Sequence, residues 1–272
     1  MIRARPKSDR HLGFDATELA SPLARWWNPV LPPLARHVHD ALAGPIAPPL
    51  LPSFEGIAEW LRDARPRLED GYTVEGNRAQ LMLRTELPGV SPPMIDWWFA
   101  WHSDDPARYK LWHPGAHVHA TWGRRPPSAD RCVGGVSIVD EYVGHELGRF
   151  AIAFLEPRSL GFRDDELATV SVTAARVGIA DAPIEAGYLL HHVKPVSGGS
   201  EMRSFFWLGG AFAGARVGGR AGDVAVSLGS SFLRPTLADA RALLLHCAQE
   251  MSHLATFLPS LYADVTGRRD RG

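Results

Sequence analysis

Residues 236–259 constrain the fold most, because they predict one long helix that is buried around much of its circumference. Thr236 and Asp239 have the spacing of a capping box, and Pro259 is expected to end the helix. Leucine, alanine, methionine and cysteine occur on nearly every side of the run, so no broad polar face is left for solvent. The rest of the chain is therefore expected to pack around this helix.

Three ionisable residues interrupt the apolar surface of the predicted helix. His246, Glu250 and His253 follow one another at helical spacing and lie on one stripe. A buried glutamate needs a partner, and an imidazole with a carboxylate on one face suits a metal ion of borderline softness. The ordinary alternative is a surface His/Glu pair that contributes a few tenths of a kcal/mol, roughly. The helix alone favours that alternative, since His-x-x-x-Glu is a weak signal.

Length and composition exclude several classes of protein. The 272 residues, 45% of them hydrophobic, suffice for one large domain or two small ones. A net charge of −1 does not suggest nucleic acid or an acidic membrane as a partner. Cys132 and Cys247 are too far apart to indicate a disulfide framework or a cysteine metal site. With no signal-peptide pattern and no apolar run of bilayer length, a soluble, cytoplasmic protein is expected.

The first 70 residues differ from the remainder in composition and in their pattern of apolar residues. They are rich in proline and tryptophan and contain two short helical patterns, at 16–28 and 53–63. We predict an amino-terminal helical extension over residues 1–70 that packs on a main domain formed by residues 71–272. Trp26, Trp27 and Trp60 are compatible with a lid, with a homodimer surface or with docking onto the main core, of which docking is the commonest.

From residue 71 onward the pattern alternates like strands. A strand at 80–87 is followed by a helix at 94–102 and then by predicted strands at 109–122, 133–143, 150–156, 168–179, 187–195, 201–209 and 224–233. One long helix after a run of antiparallel strands predicts an α+β fold in which a curved sheet wraps the helix. Such a fold encloses a cavity, and His246 and Glu250 would face it.

Residues 97–122 contain four histidines and five tryptophans, a density that is unusual for a solvated surface. As a strand, this stretch would place Tyr109, His113, His117 and His119 on one face, although Pro114 and Gly115 interrupt the alternation. For any one of these histidines, a core position is the ordinary alternative.

Other catalytic classes lack support. The glycines between 209 and 219 are followed by no Lys-Ser/Thr pair, and no dinucleotide fingerprint precedes a helix. Ser137, Ser171 and Ser204 have no nucleophile-elbow context.

Several blocks, taken together and in this order, carry a resemblance to a known family. They are Asp96-Trp97-Trp98-Phe99 with Trp101-His102, Tyr109-Lys110-Leu111-Trp112-His113-Pro114 leading to His117, Asp140-Glu141-Tyr142, His191 with Glu201-Met202-Arg203-Ser204 and Phe206-Trp207, His246-Cys247-Ala248-Gln249-Glu250-Met251, and Phe257-Leu258-Pro259. Over roughly residues 75–265 the chain resembles the zinc-dependent 2,4-diacetylphloroglucinol hydrolases and phloretin hydrolases.

The resemblance implies a Bet v 1-like (helix-grip) fold and one Zn²⁺ ion held by two histidines and two glutamates. On this chain the ligands would be His117, Glu141, His246 and Glu250, with Glu146 as the rival of Glu141. Tyr109 and His191 match residues that bind the phenolic substrate and move protons, and Phe206 and Trp207 fall in a substrate-binding block. Because neighbours on a strand point to opposite faces, only one of His191 and His192 can serve.

These residue types suit hydrolysis of a carbon–carbon bond in a small aromatic acylphenol. The reaction needs a nucleophilic water, a polarised carbonyl and a proton for the departing ring carbon; zinc serves the first two needs. Tyr109, His191 and a glutamate such as Glu141 are candidates for the proton transfers. The family pattern has a substrate-facing tyrosine near this position in some members. Phe205 and Phe206 stand here instead, which points to a substrate with fewer hydroxyls.

Two other functions are compatible with the sequence. A non-catalytic protein of the same fold would bind a hydrophobic ligand in the cavity and would need no stoichiometric zinc. A zinc hydrolase of esters or amides would prefer those substrates to acylphenols.

Overall fold

The computed structural model describes residues 10–63, 70–216 and 234–267. Its helices are α1 (Ala16–Leu19), α2 (Arg36–Leu42), α3 (Ile57–Arg62), α4 (Pro92–Trp101), α5 (Pro106–Trp112), α6 (Asp164–Leu167) and α7 (Leu237–Thr266). Its strands are β1 (Gly71–Glu75), β2 (Arg78–Pro88), β3 (His117–Arg124), β4 (Val136–Val143), β5 (Glu146–Leu155), β6 (Ser171–Ile179), β7 (Ile184–Val196), β8 (Gly199–Gly209) and β9 (Gly214–Ala215). The predicted strand at 224–233 lies outside the described residues.

The strands form one antiparallel sheet in the order β1-β2-β8-β7-β6-β5-β4-β3, with β9 paired to β7. Helix α7 packs against β1, β2 and β4. A cavity separates it from the strands that lie between β2 and β4 in the sheet. The prediction of an α+β fold with a curved sheet around a long carboxy-terminal helix is thus confirmed. It is the helix-grip, Bet v 1-like arrangement that the resemblance implied.

Alternating side chains on the central strands supply two hydrophobic cores. Leu81 and Leu83 of β2 face α7 and join a core that includes Leu254 and Leu258. Met82, between them, faces the other way and packs in a second core with Phe205, Trp207 and Ile57, among others. Since α3 covers that outer face, the sheet is apolar on both sides here, and only the inner face reaches the cavity.

Helix α7 begins as predicted but continues further. The Thr236 side chain accepts from the Asp239 amide and the Asp239 carboxylate accepts from the Thr236 amide, which completes the capping box. The prediction that Pro259 ends the helix is wrong, because the helix runs on to Thr266. Leu258 and Leu261 are fully buried on either side of it, so packing outweighs the missing hydrogen bond.

Other sequence-based boundaries are also corrected. Residues 109–112 belong to helix α5, which Asp105 caps, and the strand starts only at His117. The first helical pattern divides into α1 and a 3₁₀ turn at Pro22–Trp26, and the second helix starts at Ile57. Among the described residues, no helix is long and apolar enough to cross a membrane.

The amino-terminal segment packs on the main core. Trp26 and Trp27 contact the core that surrounds α7, and Trp60 contacts the second core. Ion pairs also join the segment to the rest of the fold: among them, Arg10 lies 2.7 Å from the Asp140 carboxylate of β4, and Lys110 of α5 lies 2.8 Å from that of Glu18. The homodimer surface and the domain boundary at residue 70 stay predictions.

Lys110 is completely buried, so the Glu18 carboxylate is needed to neutralise its ammonium. We expect Glu18→Gln to lower the free energy of unfolding by about 3–5 kcal/mol, because it leaves a buried charge without its counter-ion. Urea denaturation would measure the loss. Glu55→Gln, at an exposed site of the same segment, should change stability by less than about 0.5 kcal/mol. Equal stabilities of the two variants would contradict this role of Glu18.

Candidate metal and active site

Two ionisable residues of α7 face the cavity, one helical turn apart. His246 Nε2 lies 3.6 Å from Glu250 Oε2, and both side chains are almost fully buried. His253, the third member of the predicted stripe, is also buried, but its Nδ1 hydrogen-bonds to the Trp112 carbonyl at 3.0 Å. The structure therefore brings His246 and Glu250 to the site and uses His253 for packing.

Strands β3 and β4 supply the other half of the cluster. His117 pairs with Glu141 across the two strands, so their side chains share the inner face. His117 Nε2 lies 3.4 Å from His246 Nε2, 3.4 Å from Glu250 Oε2 and 3.7 Å from Glu141 Oε2. His246 Nε2 lies 4.0 Å from Glu141 Oε2. Donor atoms of His117, Glu141 and His246, from three separate elements, thus lie close together, and Glu250 adjoins the two histidines.

The prediction that His119 shares a face with His117 is wrong. A bulge at Val118 places His117 opposite Glu141 and His119 opposite Asp140. Adjacent residues of β4 point to opposite faces, so the two histidines do as well. His113 follows α5 and does approach the site, where its ring stacks on that of His246 at 5.0 Å.

Three of these residues could hold a metal ion, since one donor atom each of His117, Glu141 and His246 lies within 4.8 Å of the other two. Bonds of about 2.0–2.1 Å to a tetrahedral ion separate ligand atoms by about 3.3–3.4 Å, which the two 3.4 Å contacts of His117 match and the 3.7 Å and 4.0 Å contacts of Glu141 exceed. His117 donates its Nδ1 proton to the Tyr109 carbonyl at 3.0 Å, and the Tyr142 backbone accepts a hydrogen bond from His246. With both rings neutral, these bonds to backbone carbonyls would leave the two Nε2 lone pairs facing each other and the carboxylates, an arrangement that a shared cation stabilises.

The electrostatics of the cluster without a cation show how tightly its charges are coupled. Burial raises the pKa of Glu250, whereas His246 opposes that rise. Burial lowers the pKa of His246, but the hydrogen bond and charge of Glu250 outweigh it and raise this pKa to about 9. Burial and the nearby charge of His246 hold the pKa of His117 well below its usual value. The carboxylates therefore create a site of negative potential that favours a cation.

Tyr109 lies beside this cluster on helix α5. Its ring stacks on that of His117 at 3.8 Å, and its phenol donates a hydrogen bond to the Glu141 carboxylate. Burial, together with the charge of Glu141, raises the pKa of Tyr109 well above its usual value. The phenol consequently stays protonated and acts as a hydrogen-bond donor that faces the cavity.

His191 lies on the inner face of β7, where its Nδ1 hydrogen-bonds with Ser204 Oγ at 2.8 Å. Burial lowers the pKa of His191 to about 3, so the imidazole is neutral near pH 7. His192 points to the outer face and stacks on Phe162. The structure thus places His191, and not His192, on the cavity wall.

Phe206 and Trp207, which were both predicted to contact the substrate, also lie on opposite faces of the sheet. Phe206 lies on the cavity wall beside His191, with 6.0 Å between ring centroids. Trp207 points to the outer face and donates its indole N–H to the Pro52 carbonyl. The structure does not bring Trp207 to the cavity, contrary to its predicted substrate contact. Glu146 is exposed at the start of β5 and is not a member of the cluster.

Sequence reasoning gave no role to His102, which also lines the cavity. Its Nδ1 donates to the Trp98 carbonyl at 2.8 Å, and burial lowers its pKa to about 4. The density of histidines in residues 97–122 was the available signal, but only the turn between α4 and α5 shows that His102 faces inward.

The cavity has a volume of about 350 Å³ and contains these groups at one end. That volume lies at the lower end of the range for small-molecule sites. The remaining wall is largely apolar and includes Val139, Phe150, Ile152, Val177, Leu189 and Leu208. A cluster of polar groups within an apolar pocket suits a small aromatic ligand.

Comparisons with known proteins identify relatives of this chain. Residues 50–263 match the family described as the DAPG hydrolase PhiG domain. A 2,4-diacetylphloroglucinol hydrolase of Pseudomonas sp. is 31% identical over 228 residues, which cover 79% of this chain and 78% of the relative. A phloretin hydrolase of Eubacterium ramulus is 27% identical over 235 residues, 81% of each chain. The crystal structure of Ara h 8.0201 aligns with 62% of this chain and 99% of its own at 12% identity and a TM-score of 0.33, a likeness too low to bear on function.

Proposed function

The chain belongs to the DAPG hydrolase family, and on that premise we propose that it is a zinc-dependent hydrolase that removes the acyl group from an acylated phenol. The convergence of His117, Glu141, His246 and Glu250 inside an otherwise apolar cavity carries the proposal. The names of the relatives, 2,4-diacetylphloroglucinol hydrolase and phloretin hydrolase, support the substrate class.

The four donor atoms would hold one zinc ion. Two imidazole nitrogens and two carboxylate oxygens are ligands that Zn²⁺ accepts, and water or the substrate carbonyl would take a further coordination position. When bound, zinc supplies two effects: it lowers the pKa of a water molecule and it polarises a carbonyl oxygen. The hydrogen bonds that His117 and His246 make to backbone carbonyls would keep their rings oriented toward the ion.

The residues around the metal ligands would bind the phenol and move protons. In the net reaction, the bond between the ring carbon and the acyl carbon breaks, the oxygen of water joins the acyl carbon, and a proton goes to the ring carbon. The Tyr109 phenol donates its only proton to Glu141, so its oxygen can accept a hydrogen bond from a ring hydroxyl, and Glu141 is its proton partner. His191 is neutral and faces the same cavity, so it can contact a second ring oxygen and pass a proton.

Metal analysis of the purified protein, combined with a chromatographic assay, tests the proposal. We expect about one zinc per chain and release of a carboxylic acid from acylphloroglucinols. The assay should include simple esters as competing substrates. A protein that binds no zinc, or that cleaves esters but no acylphenol, would refute the proposed function.

A substitution at Phe206 tests the contact between the cavity wall and the phenol ring. Phe206→Tyr should raise the ratio of kcat/KM for the more hydroxylated of two acylphenols over kcat/KM for the less hydroxylated one by about 10-fold. The reason is that a polar partner discriminates hydroxyls better than an apolar wall. Zinc content should stay the same. Phe205→Tyr, on the opposite face of β8, is the matched control and should not change the ratio. An unchanged ratio for Phe206→Tyr would mean that this ring does not contact the substrate.

A further inference from the structure

The cavity extends well beyond the metal cluster. Glu250 lines one end of it, and Leu243 and Asp239 line it seven and eleven residues earlier on α7. With a rise of about 1.5 Å per helical residue, these positions lie about 10 Å and about 16 Å from Glu250 along the axis. The sheet side extends in parallel, since β7 lines the cavity from His191 back to Ala186.

The part of the cavity away from the metal cluster is apolar, and we call it the apolar arm. Its wall consists of Val143, Val177, Ile179, Ala186, Leu189, Leu208 and Leu243. Most of these side chains are only half-buried although they lie on the inner side of the fold. Within the described part of the chain, the next polar side chains along the wall are Arg234 and Asp239, at the start of α7. Apolar surface of this kind is stabilised when a ligand covers it.

We propose that the apolar arm binds the acyl chain of the substrate, and that the preferred substrate carries an aliphatic acyl chain of roughly six to eight carbons, the length that fits about 10 Å. This inference rests on the proposed function. The ring hydroxyls need hydrogen-bond partners, which Tyr109 and His191 offer near the metal cluster. The scissile carbonyl has to lie at the cluster as well. The chain on the other side of that carbonyl therefore enters the arm.

A chain-length series tests the inference. We would measure kcat/KM for monoacylphloroglucinols from acetyl to decanoyl with the zinc-loaded protein. Each methylene should raise kcat/KM about threefold to fourfold, as expected for about 0.8 kcal/mol per buried CH₂, until the arm is full. A value that stays constant or falls beyond acetyl would overturn the inference, while cleavage of the acetyl compound would leave the proposed function intact.

A substitution that fills the apolar arm provides a second test. Ala186→Phe should lower the ratio of kcat/KM for the octanoyl over the acetyl compound by at least 10-fold. Val196→Phe, at an exposed position of the same strand, is the matched control and should keep that ratio. Equal ratios in the two variants would exclude Ala186 and the arm from chain binding.

Binding of ligands that cannot be hydrolysed separates this inference from the proposed function. Alkylresorcinols from ethyl to octyl have the phenolic ring and the chain but no carbonyl group. Calorimetric affinity should rise with chain length in the wild type and should lose that dependence in Ala186→Phe. An affinity that rises with chain length, without any cleavage of acylphenols, would support chain binding in the apolar arm and refute the proposed hydrolase function. An affinity that does not depend on chain length would refute the arm.

Discussion

Glu250→Gln is expected to lower the affinity for zinc by more than about 100-fold, because even the loss of an outer partner of a metal ligand costs 10- to 100-fold. Hydrolysis of acylphenols should be lost with the metal. Glutamine has the same shape but no charge, and Glu250 Oε2 lies 3.4 Å and 3.6 Å from the two histidine nitrogens that would share the ion. The cluster would thus lose one of its two anionic ligands.

The fold should survive this substitution. The variant removes a carboxylate that burial already disfavours, and the helix around Glu250 is held by its apolar neighbours. Competition with a chelator, a chromatographic assay of acylphenol cleavage and circular dichroism would measure the three expectations. Glu146→Gln is the control, since Glu146 is exposed outside the cluster. Full zinc retention by Glu250→Gln would remove Glu250 from the ligand set, and zinc loss in Glu146→Gln would restore that residue as a ligand.

His191→Ala is expected to leave zinc bound but to lower kcat about 100-fold, the lower range for loss of a proton-transfer group. The imidazole lies on the cavity wall, bonded to Ser204, and has no direct contact with the four proposed ligands. Because burial keeps it neutral, it can hydrogen-bond to a ring hydroxyl without first losing a proton of its own.

The adjacent histidine provides a matched control for that experiment. His192→Ala removes the same side chain from the outer face of the same strand, where it stacks on Phe162. Steady-state kinetics with zinc content in each variant would separate catalysis from metal loss. Normal turnover in His191→Ala together with a loss in His192→Ala would reverse the assignment.

Local spacing along the chain was sufficient for part of the site. The capping box at Thr236 and the separation of His246 and Glu250 are properties of one helix, so the sequence predicts them directly. The alternation of the strands likewise showed that His191 and His192 face opposite sides, and the run of strands before a long helix predicted the fold class.

The remaining features depend on contacts between residues that are distant in the sequence. Pro259 stays inside α7 because surrounding core residues hold the helix together, and Tyr109 joins the site from a helix and not from a strand. The bulge at Val118 turns His119 away, and the β4–β5 register leaves Glu146 outside the cluster. The alternation of side chains shows that two adjacent residues of a strand point to opposite faces of the sheet. Which of the two faces inward is decided by the register of the sheet and by the elements that pack on each face. The resemblance named His117, Glu141 and His191, but only the tertiary structure placed them on the inner face and assigned Phe206 and Trp207 to opposite sides.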